Sequence, residues 1–346
     1  MRDIATTDDV ARTGEAGPPP GRPAEEPRWE QYRTELTGSC YRMLGSSADA
    51  EDAVQDTLVR AWKSYDTFEG RSAVRSWLYR IATNVCLTML GGRKRRARPM
   101  DFGPAGSASG PLPEVLPEST WLEPVPDARV LPPVTDPADL AVSRESIRLA
   151  FVAALQHLPP RQRAVLILRE VLQWKASEVA ELLESTVASV NSALQRARAT
   201  LAENDLGSAA PVDAMDEEHR ALLVRYADAF ERYDIVALVA LLHDDAILSM
   251  PPYPLWPQGP VDIEQWWVGP GMHCEGSKLV ALMANGLPAF GQYRPAEGGG
   301  YAPWAIQVLE ISGGLITHSN AFLDVETLFP VFGLPMALDA HGAPVE

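Results

Sequence analysis

Six side chains within nine positions have the chemistry of base-edge reading: Ala188, Ser189, Asn191, Ser192, Gln195 and Arg196. Alanine and serine are small enough to let a helix enter a DNA major groove. Asparagine and glutamine present paired donors and acceptors, and arginine reaches phosphate or guanine. Between them Val187, Val190, Leu194, Ala197 and Leu201 recur at helical spacing, which makes the polar set the outer face of a helix starting near Thr186. Arg198 continues that face. Upstream, "WKASEVAELLES" puts Val179, Ala180, Leu182 and Leu183 on one apolar side. Two helices and a tight turn form a helix-turn-helix, although a plain helical hairpin has the same spacing. Glu184 stands in the turn where glycine is common, and Lys175 where a Ser or Thr cap is usual.

The second chemistry is electrostatic. Arg93, Lys94, Arg95, Arg96 and Arg98 crowd into "GGRKRRARP", in a chain whose net charge is −16. Residues 57–98 hold 10 basic and 2 acidic side chains, residues 141–202 hold 8 and 5, and residues 203–346 hold 5 and 20. A polyanionic partner therefore fits only the first two segments. The knot is a sequence-blind phosphate contact, a solvated tail, or a counterpart for the acidic C-terminal third.

These groups need scaffolds, and 346 residues with 46% hydrophobic content supply two or three cores. Residues 1–27 lack periodicity and are expected to be a disordered tail without a signal-peptide core. "WEQYRTELTGSCYRML" aligns Tyr32, Leu36, Cys40, Met43 and Leu44 on one helical stripe. A second helix, capped by Ser47, buries Ala50, Val54, Leu58 and Ala61/Trp62. A third buries Val74, Trp77, Leu78, Ile81 and Val85, with Trp77 in phase with the core. Residues 28–98 thus make a helical domain.

Residues 99–138 contain ten prolines and form a linker rather than a folded unit. Its Trp121 and Leu122 are costly to leave wet, so they are expected to dock on a neighbouring domain. Residues 139–203 are helical again, with "DLAVSRESIRLAFVAALQHL" as one helix before Pro159-Pro160. A short linker, 204–214, precedes an α+β domain over 215–346. There two helices lead to a strand, followed by a short helix, antiparallel strands and a closing segment, with turns at Asn285-Gly286 and Gly313-Gly314. Cys40, Cys86 and Cys274 are scattered, which argues against a disulfide framework or a metal site. No apolar run has the length of a membrane helix, and a cytoplasmic location is the expectation.

The two helical blocks resemble a known family. "DAEDAVQDTLVRAW" is similar to the −10 and core-polymerase-binding domain of extracytoplasmic-function sigma factors of the sigma-70 family, and "SVNSALQRARATL" to their −35-binding domain. The resemblance implies that Asp49, Glu51, Asp52, Gln55 and Asp56 bind the β′ clamp helices of RNA polymerase, with further contact to the β subunit. The residues alone show an acidic, exposed helix face. It also implies that "FEGRSAVRSWL" captures an unpaired −10 base, with Gly70, Arg71 and Ser72 close to the nucleotide. Arg75, Arg80 and Asn84 then follow on the same side, with Arg93, Lys94, Arg95 and Arg96 beyond them. The helix-turn-helix face would read the −35 element. No catalytic group and no cofactor is needed, because such a factor works by binding energy.

The C-terminal part resembles a SnoaL-like cone, and the whole is similar to actinobacterial sigma factors with that domain fused. The implied role is tuning of the sigma domains in cis, with Trp121 and Leu122 at the seam. Stand-alone relatives of the cone include enzymes with an acid or base in an apolar pocket. The matching candidates are His243, Asp244, Asp245, His273 and His318, and Trp256, Trp266, Trp267, Trp304 and Phe322 are candidates to line a small-molecule pocket. A solvated turn and an aromatic core are the plainer readings of the two sets.

Overall fold

The computed structural model describes residues 29–68, 73–106, 110, 112–132, 136–203 and 217–345. The expected tail 1–27, the loop residues Gly70, Arg71 and Ser72, and the linker 204–214 lie outside them. The first unit is three helices: α1 (Arg33–Leu44), α2 (Ser47–Ser64) and α3 (Val74–Met89). α1 ends where Gly45 takes a left-handed conformation, φ 70°, and its N–H closes on the Tyr41 carbonyl. The cap of α2 is Ser46, one residue before the expected Ser47: Ser46 is extended and its hydroxyl accepts from the Asp49 N–H. Trp62 is 42% exposed rather than buried, because the core stripe of α2 runs through Ala50, Val54 and Ala61.

The proline-rich stretch is not a free tether. Proline fixes an extended backbone without preventing side-chain burial. Leu122, Val125 and Val130 join the same apolar core as α1–α3, and a short α4 (Asp127–Val130) packs on α1. Where one long helix was expected, α5 (Pro137–Glu145) and α6 (Leu149–Gln156) are separated. The break falls where distant groups take the backbone carbonyls. Arg42 donates to the Ser146 carbonyl at 3.0 Å, and Asn285 donates to that of Ile147 at 2.7 Å.

α7 (Pro160–Leu166), a π turn at Ile167–Val171, α8 (Ala176–Leu182) and α9 (Val187–Glu203) complete the helical half. Lys175 needs no side-chain cap there, because the Glu178 carboxylate accepts its N–H at 2.7 Å. The apolar core that begins at Trp29 runs without interruption to Ala197, so the two helical blocks share one interior.

The C-terminal domain runs α10 (Glu217–Arg232), α11 (Ile235–Val239), β1 (Leu242–Ser249), α12 (Pro260–Val268), β2 (Lys278–Ala284), β3 (Leu287–Pro295), β4 (Tyr301–Ser312), β5 (Leu315–Phe322) and α13 (Val325–Phe332). The sheet order is β1-β5-β4-β3-β2. β2 to β5 form the antiparallel meander, whereas β1 lies parallel beside β5. The closing segment is α13, capped by Asp324, whose carboxylate accepts the Thr327 N–H. Inside the cone, Tyr226 donates to Gln307, Gln307 to Gln292 and Gln292 to Ser277, at 2.7, 2.7 and 3.0 Å. These interior polar groups are thus hydrogen-bonded to one another.

Candidate nucleic-acid interface

α9 carries its polar set outward. Ala188, Ser189, Asn191, Ser192, Gln195 and Arg196 are all exposed, while Val190, Ala193, Leu194 and Ala197 are buried. Thr186 caps the helix through its hydroxyl, which accepts the Ser189 N–H at 3.1 Å. Val187, expected inside, is 45% exposed because it is the first residue of the helix, ahead of the packed turns. Glu184 adopts φ 49° in the turn, the left-handed conformation that favours glycine. Its carboxylate meets Arg80 of α3 at 2.6 Å.

That ion pair joins the two helices expected to touch DNA. Arg80 lies in the second turn of α3, and Glu184 sits in the turn just before α9. Tyr79 and Trp174 cross edge to face nearby, with ring centroids 5.2 Å apart. Arg75 is engaged too: it pairs with Glu35 at 2.8 Å and lies over the Tyr79 ring. Asn84 is exposed. Trp77 packs against Trp29 and Phe68, as a core residue does.

On α2, Asp52 and Gln55 point to solvent. Asp49, Glu51 and Asp56 are held: Asp49 by Arg93 and Arg96 at 3.0 and 2.8 Å, Glu51 by Arg33, and Asp56 by Arg60. Burial alone would raise the Asp49 pKa, but its hydrogen bonds and charge attraction to Arg96 and Arg93 outweigh this and hold it below the usual carboxylate value.

The basic knot therefore has intramolecular partners. Arg96, 11% exposed, bridges Asp49 and Glu123, and Arg95 meets the His157 ring. Arg96 is engaged by α2 and the linker rather than by the acidic C-terminal domain. Lys94 stays exposed.

Glu123 follows Trp121 and Leu122, which are buried at 3% and 2% exposure. Its carboxylate accepts from Ser46 Oγ at 2.8 Å and from the Ser47 N–H at 3.0 Å. A linker carboxylate thus sits on the N-terminus of the acidic helix, where the helix dipole favours negative charge.

The seam with the C-terminal domain converges on one residue that the sequence presented only as a hairpin turn. Asn285, fully buried between β2 and β3, donates through Nδ2 to Tyr41 Oη and to the Ile147 carbonyl, each at 2.7 Å. Its Oδ1 accepts the Val125 N–H at 3.0 Å. One side chain therefore ties α1, the linker and the α5–α6 break to the sheet.

Next to it, a Cβ on Gly286 would stand 2.9 Å from Arg144 Cβ and 3.0 Å from the Arg144 carbonyl, so the close approach needs glycine. The Gly286 N–H donates to Asp127 at 2.7 Å. Arg148 and Glu310 form a buried ion pair at 2.9 Å, with His318 4.0 Å from Glu310. Burial lowers the pKa of His318, opposed by Glu310 and assisted by Arg98 and Arg148.

The acid–base candidates of the cone are not assembled. His243, Asp244 and Asp245 lie on β1, with both aspartates exposed; His273 is exposed, and His318 faces the seam. The aromatic candidates also scatter. Trp266 and Trp267 are core, Trp256 donates to the linker carbonyl of Gly103, Trp304 lies beneath Arg294, and Phe322 lines a cavity at the seam.

Comparison with known proteins matches the fold to its relatives. The family model for sigma-70 region 2 covers residues 29–96, and that for sigma-70 region 4 covers residues 148–201. The ECF RNA polymerase sigma factor SigG of Mycobacterium tuberculosis is 49% identical over 316 residues, covering 89% of this chain and 83% of that protein. SigJ of the same species is 31% identical over 226 residues, 65% of this chain and 64% of SigJ. The crystal structure of M. tuberculosis SigJ superposes with a TM-score of 0.55 at 23% identity, covering 89% of this chain and 99% of that one, a likeness of fold that includes the C-terminal domain. Two helical sigma modules and extended identity to SigG converge: the chain belongs to the extracytoplasmic-function sigma factors of RNA polymerase, and it carries a C-terminal α+β domain.

Proposed function

We propose that the structure is the idle state of this sigma factor, held closed in cis by its C-terminal domain and linker. Promoter elements centred at −10 and −35 are about 25 base pairs apart, roughly 85 Å along B-DNA. The Arg80–Glu184 contact at 2.6 Å keeps the helix that would serve the −10 element against the turn that would serve the −35 element. Modules in contact cannot serve sites so far apart, so activity requires their separation. The observation that carries the reading is Asn285, whose hydrogen bonds tie the domain to α1, the linker and the α5–α6 break.

In the open state, Asp52 and Gln55, joined by Asp49, Glu51 and Asp56 once freed, bind the β′ clamp helices of core polymerase. The β subunit contacts the factor beyond them. Gly70, Arg71, Ser72, Arg75, Arg80 and Asn84 bind the melted −10 strand, with Arg93, Lys94, Arg95 and Arg96 on its phosphates. Ala188, Ser189, Asn191, Ser192, Gln195 and Arg196 read the −35 element. Each module binds weakly, and a shared polymerase platform makes the pair effective. Trapping unpaired −10 bases favours strand opening without any catalytic group.

The test is run-off transcription with core polymerase on a cognate promoter, comparing the full chain with Asn285→Ala. The reading expects higher activity from the variant at limiting core enzyme. Equal activity, with the fold intact by circular dichroism, contradicts it.

A further inference from the structure

The end of α3, linker residues 116–120 and Gln156 of α6 enclose a cleft of about 1010 Å³. Arg93, Lys94, Arg95 and Arg96 all line it, and Asp49 is the carboxylate on its wall. Lys94 is exposed and pairs with no carboxylate among the described residues, and Arg95 meets only the His157 ring. Burial and the Arg95 charge lower the His157 pKa, opposed by Asp101, whose carboxylate stands 3.6 Å behind the ring and outside the cleft lining. Positive charge is in excess. Phe102 also lines the cleft, 48% exposed, with Trp121 packed edge to face against it at 5.3 Å. Ser119 and Thr120 also line it.

We propose that this cleft binds a free nucleoside polyphosphate, its phosphates on Arg93, Lys94 and Arg95 and its base stacked on Phe102. Clustered cations beside an aromatic face are the two components of nucleotide recognition, charge for phosphate and a π surface for the base. The volume is at the upper end for small-molecule sites, roughly 300–1,000 Å³. Five stretches of chain wall the cleft, which suits a ligand of finite length better than a continuous strand. The site exists only while the sigma modules are packed, so the inference rests on the closed-state reading. Bound phosphates would compete with Asp49 for Arg93, which is 49% exposed at that pair.

The experiment is calorimetric titration of the full chain, without polymerase, with ATP, GTP, inorganic triphosphate and a short single-stranded oligonucleotide. Expected are one nucleotide per chain and binding at least ~5-fold tighter than inorganic triphosphate, the increment of one stacked base. Lys94→Ala should weaken both ligands. Phe102→Ala should weaken the nucleotides alone. Both side chains are exposed enough that the thermal midpoint serves as the folding control. Equal affinity for nucleotide and inorganic triphosphate, tighter binding of the oligonucleotide, or no binding each overturns the proposal.

A spin-label distance between T88C and S185C, taken on the same samples, separates the two readings. Absent binding with a short distance sinks the nucleotide site alone, and absent binding with a long distance sinks the closed state as well.

Discussion

Asn285 donates a hydrogen bond to Tyr41 Oη at 2.7 Å, and Tyr41 in turn donates to the Glu123 carbonyl at 2.7 Å. This relay runs from the C-terminal sheet through the first sigma helix to the linker, with its Asn285–Tyr41 link buried and its Tyr41–Glu123 link partly so. Loss of one buried partner leaves the others unsatisfied and costs roughly 1–3 kcal/mol. Tyr41→Phe should therefore favour the open form by ~5- to 160-fold, read as increased promoter-specific transcripts at limiting core polymerase. An unchanged transcript yield would remove the relay from the account.

Arg148 and Glu310 pair across the same seam with little water access. Removing the Glu310 charge leaves Arg148 with Glu145 alone, at 3.2 Å, so the cost falls below the roughly 3–5 kcal/mol of a buried charge that loses its only partner. Glu310→Gln should lower the unfolding free energy of the full chain in urea, while Glu326→Gln, at an exposed position on α13, should change it by no more than about 0.5 kcal/mol.

His318 sets a pH dependence. Its pKa lies below the ordinary histidine value, chiefly through burial. A histidine whose folded pKa is depressed contributes stability that is present above the unfolded pKa and is lost as pH falls. The closed form should weaken as pH drops below about 6.5, and His318→Gln should flatten that slope in thermal denaturation between pH 7.5 and 5.5. Glu310, Arg148 and Arg98 are the charged groups that face the ring. A variant with the parent's slope would show that His318 is not the titrating group.

Asn191 and Gln195 stand outward on α9. Replacing either by alanine should cost roughly 1–3 kcal/mol of promoter binding and relax preference at one −35 position. Affinity for core polymerase should not change. Band-shift titration of the holoenzyme on single-base promoter variants measures this, and a uniform loss on every variant would assign these residues to the backbone instead.

The helices of both sigma modules were legible because their apolar residues repeat with one strong period over three or more turns. Burial of Trp121 and Leu122 was legible from the cost of wetting them. The break at Ser146–Arg148 was not, because α5 and α6 read as one helix until Arg42 and Asn285 take the intervening carbonyls. Asn285-Gly286 gave a hairpin signal, and its φ values of 56° and 74° agree with that turn. Nothing local marked Asn285 as the hub, since Tyr41 is 244 residues away in sequence. Glu123 and Arg96 were likewise charges without visible partners until the chain folded. The segment "GGRKRRARP" pointed to a polyanion, and its first partners are carboxylates of its own chain.

The central claim is that the two DNA-reading modules are held together until polymerase separates them. The most direct measurement is the spin-label distance between T88C on α3 and S185C in the helix-turn-helix turn, taken with and without core polymerase and promoter. The account predicts a distance below about 30 Å in the chain alone, from two α3 turns of 5.4 Å beyond the Arg80–Glu184 contact plus label length. It predicts lengthening beyond about 60 Å in the promoter complex, set by the separation of the two elements. A distance already long in the free chain, or one unchanged on promoter binding, would contradict it.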